Sequence, residues 1–120
     1  MIEKIVDFIQ ENGGSIYENY NRLLLKDYIQ KHIDYGTFLS VSDKQGLTAV
    51  ARWNWENKDT AWILDVIIRK DARSFYSLKG LLMLGIQRNP SCKYIKFERQ
   101  GKYPGRDFRT YKVKDLLRRL

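Results

Sequence analysis

One cysteine and one histidine occur in 120 residues, and their scarcity excludes two classes of small protein. Cys92 has no partner for an intramolecular disulfide, so a stapled secreted miniprotein is ruled out, and no Cys and His cluster is available to hold zinc. Long apolar runs are also missing. No window reaches the length that spans a bilayer, and the opening segment MIEKIVDFIQENGG carries acids within its apolar stretch and lacks a small-residue cleavage site. The chain is expected to be soluble and intracellular. It shows no internal repeat, low-complexity stretch or interdomain linker, and no RNP, KH or helix-turn-helix pattern.

What is present is enough for one core, since 43% of residues are apolar and 13% aromatic. Lys and Arg number 22 against 14 Asp and Glu, a net charge of +8. Residues 1–87 hold 11 of each sign, while residues 88–120 hold 11 basic side chains and 3 acidic, so the last third carries the whole excess. There Tyr94, Phe97, Tyr103, Phe108 and Tyr111 interleave with Lys96, Arg99, Lys102, Arg106, Arg109 and Lys112. Bases stack on aromatic faces while cations follow phosphates, so these six cations are a candidate polyanion-binding set with nucleic acid as one expected partner. The same alternation also arises when aromatics fill a core and cations point to water.

The periodicity divides the chain into elements. Ile2, Ile5, Val6, Phe8 and Ile9 mark a short first helix stopped by Gly13-Gly14. Ser15 and Glu18 fit a capping box for a second helix running to Tyr35, with Ile16, Tyr20, Leu23, Leu24, Tyr28, Ile29 and Ile33 as its buried stripe. Phe38 to Ser42 and Leu47 to Trp55 read as a hairpin. Trp53 and Trp55 share a face, with Trp62 expected across from them on the third strand. That strand, Ala61–Ile68, is apolar except for Asp65, as befits a central strand covered on both faces. A helix follows to Asn89-Pro90. Its interior Gly80 and Gly85 cost roughly 1 kcal/mol each against alanine, which predicts close packing around them. Strands at Cys92–Arg99 and Phe108–Val113, and a terminal turn at Lys114–Leu120, complete the order α-α-β-β-β-α-β-β-(α). The fold class is α/β or α+β, one mixed-sheet domain over residues 1–120 whose β-α-β unit requires parallel neighbours.

Two stretches carry a resemblance. Hairpin, third strand, long helix and further strand follow the order of the GCN5-related N-acetyltransferase (GNAT) fold. Trp62-Ile-Leu-Asp-Val-Ile-Ile68 with the helix ending in Arg88-Asn-Pro90, preceded by Ala51-Arg-Trp-Asn-Trp55, resembles the bacterial toxin-activating lysine acyltransferases of that fold over roughly residues 37–99. The resemblance implies acyl transfer from a thioester to an amine, with Asp65 at the position of the catalytic aspartate. It also implies coenzyme A or an acidic acyl carrier protein as donor, and it suits a compact bacterial or bacteriophage protein of the cytoplasm. A carboxylate on an apolar central strand is desolvated, which favours its protonated form and suits it to accept or orient a proton; the alternative is that Asp65 caps backbone groups where the sheet splays. Arg73 and Ser74, in the turn before the helix, are the candidates for a cofactor's phosphates, although this turn lacks the glycines such a site uses. The histidine that toxin activators carry ahead of their first long helix has no counterpart in residues 12–20; His32 is expected as a C-terminal helix cation or a packed ring. Beside the enzyme, a basic nucleic-acid-binding module and a protein-interaction or inhibitor domain are the alternatives.

Overall fold

A computed structural model of the chain describes residues 1–72, 75–100 and 106–119, leaving aside the side chains of 72, 75–77, 99–100 and 106–108. The order is α1 (Ile2–Asn12), α2 (Ser15–Glu18), α3 (Arg22–Asp34), β1 (Phe38–Asp43), β2 (Gly46–Asn57), β3 (Thr60–Ile68), α4 (Phe75–Arg88), β4 (Tyr94–Gln100), β5 (Arg106–Lys112) and α5 (Val113–Arg119). The five strands form one sheet in the order β1-β2-β3-β4-β5. All neighbours are antiparallel except β3 and β4, which are parallel and joined through α4, as the β-α-β reading requires.

Alternation along the strands sends side chains into two cores. On the α4 side Leu39, Ala49, Ala51, Trp53, Ala61 and Ile95 meet Leu81, with Leu82, Leu84 and Ile86 beside it and Val113 of α5. On the other side Val50 and Ile67 meet Ile5, Val6, Phe8 and Ile9 of α1 and Leu25 and Ile29 of α3. β3 is thus central and faces both cores. α1 buries the stripe expected of it.

The long second helix is corrected to two. α2 ends at Glu18, and α3 starts afresh behind Asn21, whose side chain accepts from the Leu24 N–H at 3.1 Å. Ser15 makes no side-chain cap; the residue before α2 is Gly14, at a left-handed φ of +79°. The break turns part of the expected stripe out of the core, leaving Ile16 at 67% and Leu23 at 75% exposure; Ile29 is buried as expected, joined by Leu25 from outside the stripe. Gly36, at φ +70°, turns the chain out of α3 where a side chain would be strained. The packing predicted around the α4 glycines is also corrected: a Cβ at Gly80 would have nothing within 4 Å, and one at Gly85 would sit in ordinary contact with Leu39 at 3.6 Å.

The indoles divide as well. Trp53 and Trp55 do share a face and stack edge to face, with centroids 6.5 Å apart. Trp62 lies opposite Asn54 in the register, which puts it on the other face of the sheet, not across from the first two.

Candidate active site at the splayed seam

β2 and β3 stay in register from Ala49↔Ile68 to Asn57↔Thr60, interrupted by two irregularities. The first sits between Arg52↔Asp65 and Trp53↔Ile63, so Leu64 is an extra residue in β3, a bulge. β3 and β4, by contrast, pair only from Thr60↔Tyr94 to Ile63↔Phe97. Among the described residues none of β4 is registered opposite Leu64–Ile68, and the two strands part at the bulge.

A cleft of about 460 Å³ opens where they separate. Leu64, Asp65 and Val66 supply one wall, Phe97 and Glu98 another, with Leu78 and Leu82 of α4 at the floor and Arg109 and Tyr111 of β5 at the rim. Asp65 also borders a smaller cavity of about 10 Å³ beneath α1 and α3. It therefore stands between the cleft and the far side of the sheet.

Asp65 does not merely cap strand ends. Arg52 Nε donates to its Oδ2, and Tyr17 Oη donates to its Oδ1 at 2.5 Å. Arg52 Nη2 lies 3.5 Å from the Tyr17 oxygen, closing a triangle. The ion-paired side chains are 18% and 19% exposed. A guanidinium thus supplies the countercharge of the carboxylate on this apolar strand. Burial, followed by the hydrogen bond and charge of Asp65, pushes the Tyr17 pKa up to about 12, so the phenol keeps its proton and acts as a donor at neutral pH. Carboxylate oxygens offer about four acceptor positions, so acceptor capacity remains beyond these two bonds.

His32 is the packed ring of the two expectations. Its Nδ1 lies 2.7 Å from Thr37 Oγ1, and burial, with the Arg52 charge second, lowers its pKa. Cys92, expected to open the fourth strand, is buried two residues before β4; its Sγ lies 3.4 Å from the Tyr94 carbonyl, and burial pushes its thiol pKa up, away from nucleophilic use. Among the described residues no group of His, Cys, Asp and Glu can hold a metal ion, and no helix is long and apolar enough to cross a membrane.

Arg73, Ser74 and Lys102 lie outside the described residues, as do the side chains of Arg99 and Arg106. In the described part of the β3–α4 turn, Arg69 is bound to Asp43 at 2.7 Å and to Asp71 at 2.5 Å, and Lys70 is exposed. The remaining basic candidates do not converge. Tyr94, Lys96 and Lys112 project from the face away from α4, where Lys96 binds Glu56 at 2.6 Å and stands 5.8 Å from the Trp62 ring centre. Arg109 is registered opposite Phe97 on the α4 face and borders the cleft. Among the described side chains, Lys96 and Lys112 thus lie on one face of the sheet and Arg109 on the other.

Tyr17 and Arg52 are the site residues that sequence reasoning missed. A signal for Arg52 existed: counting outward from the Asn57–Thr60 turn in an unbroken hairpin sets it opposite Asp65, the one carboxylate in β3.

No protein-family model matches the sequence, and no curated protein matches it. Among solved structures the chain is similar to N-acetylglutamate synthase from Neisseria gonorrhoeae, determined in complex with coenzyme A and N-acetyl-glutamate, at a TM-score of 0.50 and 16% identity. The similarity covers 60% of this chain and 17% of that one, so the chain spans a small part of its neighbour's length. The fold is GNAT-like: an α/β domain with a five-stranded mixed sheet.

Proposed function

We propose that this chain is an acyltransferase of the GNAT-like kind, accepting a thioester in the cleft between β3 and β4 and passing its acyl group to an amine near Asp65. The observation that carries this reading is the parting of β3 from β4 after Ile63 and Phe97, with Asp65 at the opening. An unpaired strand edge offers backbone N–H and C=O groups to an extended amide-bearing arm, as a further strand would. In the transfer the amine nitrogen attacks the thioester carbonyl, a C–N bond forms, the C–S bond breaks, and the sulfur leaves as thiolate. The amine proton goes to Asp65, and the thiolate takes a proton from solvent. Tyr17 and Arg52 hold the carboxylate in place, which makes them positioning residues. The neighbour's coenzyme A supports a thioester donor.

The test is amide formation, detected by mass spectrometry, from acyl-coenzyme A and acyl N-acetylcysteamine thioesters offered with lysine-bearing peptides and small amines. Asp65→Asn is expected to reduce transfer at least a hundredfold while the protein stays folded. Absence of amide product from the wild type with every donor overturns the reading, and unfolding of Asp65→Asn assigns the carboxylate a structural role.

A second reading concerns the face away from α4, where Tyr94, Lys96 and Lys112 gather beside Trp62 within the third of the chain that carries the net +8. We propose that single-stranded nucleic acid binds there through charge and stacking. Each phosphate contact gives a slope of about −0.7 in log affinity against log salt. Fluorescence anisotropy with an oligonucleotide checks this: Lys96→Glu with Lys112→Glu flattens the slope, and no binding by the wild type at low salt ends the proposal.

A further inference from the structure

A second cavity, of about 50 Å³, lies between the sheet and α4. Ala51, Ala61 and Gly85 border it together with Trp53, and it shares Ile63, Val66, Leu78 and Leu82 with the cleft, so the two meet along that wall. The cavity exists because small residues face one another where helix and sheet pack. At Gly85 crowding does not account for the choice. A Cβ there would make only an ordinary contact 3.6 Å from Leu39, although glycine weakens a helix interior. Apolar cavities of this kind stay dry and take up apolar groups.

We propose that this cavity receives the acyl chain of the thioester, and that it selects chains of about five carbons over both acetyl and long fatty acyl groups. The inference rests on the acyltransferase reading of the cleft and adds the substrate class. A water-sized group needs roughly 10–15 Å³ of such space, so the cavity holds about four methylene-sized groups beyond the carbonyl. The chain enters past Leu78 and Leu82, and its methylenes fill the space left by Ala51, Ala61 and Gly85. Each methylene buried strengthens binding about fourfold until the space is full.

The experiment measures binding of N-acetylcysteamine thioesters from acetyl to palmitoyl to the whole chain, by calorimetry and by indole fluorescence. These probes have no phosphates, so they report on the chain alone. Affinity is expected to climb about fourfold per methylene to near pentanoyl and then to level or fall. Gly85→Leu, which fills the cavity, moves that limit to acetyl or butyryl. Should Gly85→Leu fail to fold, Gly85→Ala, whose Cβ makes only an ordinary contact with Leu39, is expected to shorten the preferred chain by one or two carbons with no loss in Tm. Affinity that is independent of chain length overturns the proposal, as does affinity that climbs alike in wild type and variants through palmitoyl. Binding is read without turnover: a chain-length limit without amide product removes the transferase reading and leaves the acyl pocket. Amide formation that favours acetyl does the reverse.

Discussion

The seam between β2 and β3 and the seam between β3 and β4 share a strand and behave in opposite ways. The first is antiparallel and registered along nearly all of β3, with Arg52 and Asp65 paired across it; the second is parallel and closes over four residue pairs before it opens. A hairpin connects the first through a two-residue turn, so its register is set locally. The second is set by α4, a crossover that must reach across the sheet and fixes only where the strands begin together. Rigidity on one edge of β3 and an opening on the other place Asp65 accurately beside a space, an arrangement useful for chemistry and poor for packing.

If that contrast is real, the two cores should differ in what a truncation costs. Leu25→Ala, at a position 1% exposed in the core under α1 and α3, is expected to lower unfolding stability by about 3–4 kcal/mol. Leu82→Ala, which borders both the cleft and the cavity between the sheet and α4, should cost only about 1–2 kcal/mol, because part of its surface already faces empty space. Urea titrations decide this, and equal losses would erase the distinction between a tight side and an open one.

The closed seam can be broken at its ion pair. Arg52→Met keeps the apolar stem and removes the cation, leaving Asp65 half-buried with only Tyr17, and is expected to cost about 2–3 kcal/mol. The double variant Arg52→Met, Asp65→Leu should recover most of that loss, since the penalty lies in the uncompensated charge. No recovery would mean that the bulge at Leu64, and not the charge pair, holds the strands in register.

The sequence was legible where a period ran uninterrupted. The apolar run Ala61–Ile68, the stop at Asn89-Pro90 and the strand-helix-strand order leave few topologies, and the sheet order and parallel neighbour follow from them. It was illegible where two local signals competed. Ser15 and Glu18 have the spacing of a capping box, yet Asn21 holds the next helix start, and nothing in the period of residues 16–33 tells one register from the other until Leu25 and Ile29 meet the sheet. The candidate site was half legible for the same reason. Asp65 is conspicuous as a charge in an apolar strand, whereas Tyr17 reaches it from 48 positions away, through a helix break that periodicity does not show.

Alkaline pH separates Tyr17 from the rest of the site. Its pKa is raised from 10.0 to about 12 in the folded chain, so the folded state holds the phenolic proton more tightly than the unfolded one. That contribution is present in full below pH 10 and is lost as pH rises from 10 through 12. Tyr17→Phe should lower stability at neutral pH by about 1 kcal/mol through the lost hydrogen bond, and should flatten the decline above pH 10 in stability measured by urea titration. An unchanged alkaline decline would move the responsible group elsewhere.

The smallest effect is expected on the acid side, at His32. Its pKa is lowered below 6.5, first by burial and then by the Arg52 charge, so the unfolded chain takes up a proton that the folded one resists. Stability is therefore unaffected by this group above about pH 6.5 and declines as pH falls from there through its lower folded-state pKa. Because Arg52 contributes to the depression, Arg52→Met should raise the His32 pKa as followed by its ring proton shifts in NMR, while Thr37→Val, which removes the hydroxyl 2.7 Å from Nδ1, alters its hydrogen bonding without altering that charge. An Arg52→Met variant that leaves the His32 titration in place would show that the charge cluster on the closed seam ends at Asp65 and Tyr17, with His32 no more than a packed ring at the end of α3.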